Sequence, residues 1–208
     1  MSAELSKHGE VQVEIGLAGR ALPGLSVSGD LHLVQPFKNG LLAAVIDGLG
    51  HGDEAAQVSR AAVAVLAQNP AEPLVDLMNR CHKALNRTRG AVVSLASFDA
   101  VTQTMSWLGV GNVDGVMIRS RSGTLQRECL PVRRGVVGFK MPALRAAVMP
   151  IAGGDTLIMT SDGIASNFLD GVPLTNPAQT IADTMLSRYG KSSDDALVLV
   201  VRYLGAAA

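Results

Sequence analysis

The chain has 208 residues, of which 48% are apolar, and its 18 basic and 18 acidic side chains cancel. That size suits one domain, and the apolar fraction is enough to bury a full core. The balanced charge offers no basic field for nucleic acid and no polybasic patch for an anionic membrane, so neither is expected as a partner.

Residues 1–10 are polar with no apolar h-region, and no later stretch is long enough for a membrane helix. They are expected to form a flexible end. Val11 to Ala18 alternates apolar and polar residues, as a half-buried strand does. Strands at about 26–35 and 40–47 follow, and then two helices, 53–68 and 72–88, divided by Asn69-Pro70. In the second helix Val75, Met78, Cys81, His82 and Leu85 recur at helical spacing, so this face should pack on a sheet, with His82 packing or capping rather than ligating. Further strands are predicted at Ala91 to Phe98, Thr104 to Val110, Gly115 to Ile118, Leu144 to Met149, Thr156 to Thr160 and Ala196 to Tyr203. One more helix, Pro177 to Tyr189, interrupts them, and 205–208 should be a second flexible end. Two antiparallel sheets with helices on their outer faces satisfy this order, which makes the fold α+β and the chain a single domain over 1–208. Cys81 and Cys129 lie apart and form no CxxC or Cys/His set, as suits a reducing cytoplasm.

The run Val45-Ile46-Asp47-Gly48-Leu49-Gly50-His51-Gly52-Asp53 puts a carboxylate at the end of an apolar strand and follows it with glycines that let backbone approach a ligand. Three more aspartates stand at strand edges beside small residues: Asp30, Asp162 and Asp194. Any one of them alone reads as a turn residue or helix cap. Converging, the four could not all stay ionised without a cation. An all-oxygen set favours Mg²⁺ or Mn²⁺, whereas zinc would want His or Cys.

The order Ser28-Gly29-Asp30, Asp47-Gly48-Leu49-Gly50-His51-Gly52, Ser161-Asp162-Gly163 and Asp194-Asp195 before a terminal strand resembles the metal-dependent serine/threonine protein phosphatases of the PPM or type 2C class, in their bacterial SpoIIE-type branch. The resemblance implies an αββα sandwich with two ions, Mn²⁺ or Mg²⁺, at one end between the sheets. Asp47 would bridge both ions, the Gly48 carbonyl and Asp30 would complete one, and Asp162 with Asp194 would hold the other. Asp195 should point away, since neighbours on extended backbone face opposite sides. Within the branch the chain is similar to the compact form without a sensor domain. That form implies a phosphorylated regulatory protein as substrate, a STAS-domain protein of a stressosome-like scaffold, in stress-response signalling.

The departures from the family bear on mechanism. Leu49 stands where eukaryotic relatives carry a His, and His51, two residues later, is either the leaving-group acid or a backbone anchor of the turn. Asn112 in Gly109-Val110-Gly111-Asn112 replaces an aspartate that holds a third metal in those relatives, and no basic residue adjoins Asp30 to clamp phosphate. Arg119, Arg121, Arg127, Arg133 and Arg134 could meet an acidic partner or form a plain solvated surface. A dinucleotide-binding turn is a poor rival, because Asp53 breaks G-x-G-x-x-G and Asp47 would repel a pyrophosphate. A metal-free pseudophosphatase acting as a binding module is the alternative that keeps the fold.

Overall fold

The computed structural model describes residues 11–121 and 124–206, so the expected flexible end at 1–10 lies outside the described residues. In chain order the elements are β1 (Val11–Arg20), β2 (Asp30–Phe37), β3 (Gly40–Gly48), α1 (Gly52–Gln68), α2 (Leu74–Ala84), β4 (Ala91–Asp99), β5 (Thr104–Val110), β6 (Asp114–Arg121), β7 (Thr124–Cys129), β8 (Val132–Arg133), β9 (Ala147–Pro150), β10 (Thr156–Thr160), α3 (Ala178–Tyr189) and β11 (Ala196–Ala206).

Strand β3 explains the layering. Its apolar run is unbroken because both faces are buried: Leu41, Ala43 and Val45 point into the core between the sheets, and Leu42, Ala44 and Ile46 point under the helices. Strand β11 does the same in the other sheet, sending Leu197, Leu199, Val201 and Tyr203 inward and Ala196, Val198 and Val200 toward α3. One sheet runs β1-β11-β10-β6-β7, the other β2-β3-β4-β5-β8 with β9 also on β5. All pairings are antiparallel except β5 with β8. Val58, Ala62 and Leu66 of α1 and Leu77, Met78 and Cys81 of α2 cover one sheet, while Ile181, Ala182 and Met185 of α3 cover the other. The result is an αββα sandwich. Trp107 is buried between the sheets, where its Nε1 donates to the Pro131 carbonyl at 2.9 Å and so leaves no orphaned donor.

Local differences from the sequence reading have physical causes. The strand expected from about 26 starts at Asp30, because Leu22 and Gly29 give their N–H groups to the Asp195 carboxylate instead of a neighbouring strand. The helix expected to reach 88 stops at Ala84, where the chain turns through a left-handed Arg87. Strands β7 and β8 were not expected; every residue of β7 is exposed, so no alternation marks it. Gly205 pairs with Gln12 and Ala206 with Val11, so strand β11 extends into the segment expected to be a flexible end. Among the described residues no helix is long and apolar enough to cross a membrane.

Candidate metal centre

Asp30 opens β2 and Asp47 is the penultimate residue of β3, and antiparallel register puts them directly opposite each other. Cross-strand partners share a face, with Cβ atoms roughly 5 Å apart. The other sheet brings Asp162, just past the end of β10, and Asp194, just before β11, to the same end of the sandwich. Ser161 ties the sheets together: its Oγ donates to Asp30 Oδ2 at 2.6 Å and accepts from the Leu197 N–H at 3.0 Å. Two glycines make the close approach possible. A Cβ on Gly48 would collide with the Ala55 carbonyl of α1, and one on Gly163 with the Asp195 carbonyl. The Gly48 carbonyl lies beside Gly29, where a Cβ would stand 3.3 Å from its oxygen.

The electrostatics follow from that convergence. Burial pushes the Asp47 carboxyl up to about 8, helped by the charges of Asp30, Asp162, Asp194 and Asp195. Burial also pushes Asp30 up to about 7; the Ser161 hydrogen bond opposes the rise, and the charges of Asp195, Asp162 and Asp194 add to it. Asp30 and Asp47 thus lie in the field of the other carboxylates, with too little positive charge beside them to favour their ionised forms. The donor set, carboxylates and a carbonyl, is that of a hard divalent cation. Among the described residues no three acidic or imidazole side chains already close on a single point at ligand spacing. Their oxygens are turned to neighbouring donors instead, Asp30 to Ser161 and Asp162 to the Asn112 amide at 2.7 Å.

Asp194 and Asp195 have different employment. Asp195 is 3% exposed and takes the N–H groups of Leu22 and Gly29, each at 2.7 Å, which pins the 22–29 loop. Asp194 is half-buried and among the described residues accepts only the Asp195 N–H, at 2.9 Å. Asn112 stands beside Asp162 as a hydrogen-bond donor. His51 sits at the N-cap of α1, exposed and with no side-chain capping bond, so the turn is not anchored through a capping bond from its ring.

Several expectations about basic residues change. Arg20 is ten positions from Asp30 in the chain yet lines a cavity of about 210 Å³ with Asp30, Ser26 and Ser28, so a basic residue does border the same cavity as Asp30. Arg119 and Arg121 are not free for a partner: both bind Asp155, which is 1% exposed and is held below the usual carboxylate range because bonds from Arg121, the Ala152 and Ser120 amides and Arg119 outweigh its burial. Arg127 donates to the Leu169 carbonyl, while Arg133 and Arg134 are exposed. His82 accepts the Gly138 N–H at 2.9 Å and ties α2 to the segment after β8. The sequence reading quotes Ser161 only as a member of its motif, without a role, and passes over Arg20 and Lys191, whose Nζ donates to the Asp162 carbonyl at 2.5 Å. For Lys191 the only available signal was its place three residues ahead of the Asp194-Asp195 pair.

Comparison with known proteins agrees with this fold. The family model for Stage II sporulation protein E (SpoIIE) matches residues 38–204. Phosphoserine phosphatase RsbX of Bacillus subtilis (strain 168) is 34% identical over 142 residues, 68% of this chain and 69% of that protein. A solved structure described as the bacterial stressosome, a modular system adapted to control secondary messenger signaling, matches at TM-score 0.82 and 30% identity over 91% of this chain and 99% of that one. RsbX in complex with magnesium matches at TM-score 0.80 and 21% identity over 97% and 100% of the two chains.

Proposed function

The chain belongs to the SpoIIE family of PP2C-type phosphatases, and on that premise we propose that Asp30, Asp47, the Gly48 carbonyl, Asp162 and Asp194 hold two divalent cations, Mn²⁺ or Mg²⁺, with which it hydrolyses phosphoserine or phosphothreonine on a regulatory partner protein. The chain is a phosphoprotein phosphatase; the ligand set, the number of ions and the partner are the proposal. The observation that carries it is the cross-strand pair Asp30 and Asp47, whose carboxyls are both pushed up by burial and by the charges of Asp162, Asp194 and Asp195, with Asp30 adding to the rise of Asp47. Such a pair is stable in its ionised form only with cations beside it.

When bound, the cations would supply an activated water at neutral pH and neutralise charge on the phosphoryl group. The chain's own residues do the rest. Asp30 and Asp47 offer hard oxygens from one sheet, Asp162 and Asp194 from the other, so the ions would sit where both sheets clamp them. Ser161 holds the orientation of Asp30, and Asn112 that of Asp162, so neither carboxylate has to search for its position. Asp195 fixes the loop leading into Asp30 without spending an oxygen on a cation.

A phosphorylated protein of a stressosome-like scaffold is the partner we favour, supported by the likeness to RsbX and to a chain solved in the stressosome context. A cytoplasmic setting agrees with two unpaired cysteines, one of them exposed. Phosphate release from a phosphoserine protein, measured with Mn²⁺ and again after EDTA, tests the reading. Release that is equal in both conditions would refute the metal requirement, and no release at all would favour a binding module.

A further inference from the structure

Lys191 is fixed at the rim of the carboxylate cluster by three bonds. Its N–H donates to the Gly163 carbonyl at 2.7 Å, its Nζ to the Asp162 carbonyl at 2.5 Å, and its own carbonyl accepts from Arg20 Nη2 at 2.6 Å. The residue is nevertheless exposed, and its ammonium makes no ion pair among the described residues. An ammonium carries three donors. One is used on Asp162, which leaves two donors and a full charge facing solvent beside the site.

With two divalent cations bound, the charge of Asp30, Asp47, Asp162 and Asp194 would be largely offset, so a phosphomonoester dianion would gain from a further positive charge held at the edge of the site where it enters. We propose that Lys191 binds the phosphoryl oxygens of the phosphomonoester substrate and thereby sets affinity for substrate, not for metal. This rests on the phosphatase reading above. The bond to the Asp162 carbonyl holds the ammonium in place without cancelling its charge, which a carboxylate partner would do. Asp114, at the start of β6, is the nearby acid that competes for this charge.

The test uses the full chain with saturating Mn²⁺, a phosphoserine peptide as substrate and inorganic phosphate as competitive inhibitor. Lys191→Met is expected to raise both the KM for peptide and the Ki for phosphate by about tenfold or more, the loss of one charge-assisted contact. Its kcat should change by less than about threefold, and its Mn²⁺-induced rise in Tm should be that of the parent. Lys191→Gln keeps an N–H for the Asp162 carbonyl but drops the charge, so it should weaken phosphate just as Lys191→Met does even if the latter folds poorly; Lys191→Arg should restore most of the affinity. Unchanged KM and Ki would overturn the assignment. So would loss of the Mn²⁺-induced Tm rise, which would make Lys191 a prop for Asp162, or disappearance of the effect in an Asp114→Asn background, which would make it a neutraliser of Asp114. A parent chain that neither releases phosphate nor gains stability with Mn²⁺ sinks the phosphatase reading itself. An active parent with an indifferent Lys191→Gln sinks only this inference.

Discussion

Replacing Asp47 by Asn should stabilise the metal-free protein at alkaline pH while abolishing its response to metal. In the folded chain burial and the neighbouring carboxylates push the Asp47 carboxyl up to about 8, far above its value in the unfolded chain. A raised carboxyl binds its proton more tightly when folded, so folding stability is whole below the unfolded value and falls as pH rises, with the loss complete above about 8. Were the whole shift expressed, the penalty at pH 8 would approach roughly 5 kcal/mol; sharing with Asp30 and relaxation of the cluster reduce it to about 2 kcal/mol. Asn keeps the volume and cannot ionise. In EDTA at pH 8, Asp47→Asn should therefore melt about 4–8 °C above the parent for a chain of this length, and the gain should shrink to about 2 °C or less at pH 5.

Metal should reverse the order. At a Mn²⁺ concentration a hundred times its dissociation constant, the parent should gain about 2.7 kcal/mol and the variant close to nothing, so the two melting curves exchange places. Differential scanning fluorimetry at pH 5, 6.5 and 8, each with EDTA and with Mn²⁺, measures the full set. A variant less stable than the parent in EDTA at pH 8, or one that responds to Mn²⁺ as the parent does, would refute the argument that Asp47 is held against repulsion for the sake of a cation.

The other aspartates should separate by what they bond. Asp162→Asn should reduce phosphoserine turnover by more than about a hundredfold and leave the metal-free Tm within about 2 °C, since Asp162 is exposed; near-parental turnover at saturating Mn²⁺ would remove it from the ligand set. Asp195→Ala orphans the Leu22 and Gly29 amides and should lower the metal-free Tm by about 4 °C or more, whereas Asp194→Ala should spare that Tm and cancel the Mn²⁺ response. Equal behaviour of the two would erase the division of labour drawn between them. His51→Ala should slow hydrolysis of phosphoserine and of an aryl phosphate alike, within about tenfold; a loss confined to phosphoserine, whose alcohol leaves poorly, would make His51 the leaving-group acid.

What could be read from the chain, and what could not, divides along the range of the interactions. The Asp47 turn announces itself because strand, carboxylate and glycines are contiguous, and the burial of β3 and β11 on both faces is written in their unbroken apolar runs. The start of β2 was misjudged by about four residues because the carboxylate that takes the Gly29 amide lies 166 positions away, beyond any local pattern. Strand β7 escaped because an exposed edge has no buried face to impose alternation. The same reasoning explains the site's hidden members. Asp30, Asp47, Asp162 and Asp194 stand out one by one as acids beside small residues at strand ends. Ser161, Arg20 and Lys191 gain their meaning only from the bonds they make at the mouth of the sandwich, and Asn112, visible in the chain as a departure from the family, shows its tie to Asp162 only there. Acids that come from strand ends can thus be sighted from the chain, while the groups that bond to them emerge only when the two sheets are brought face to face.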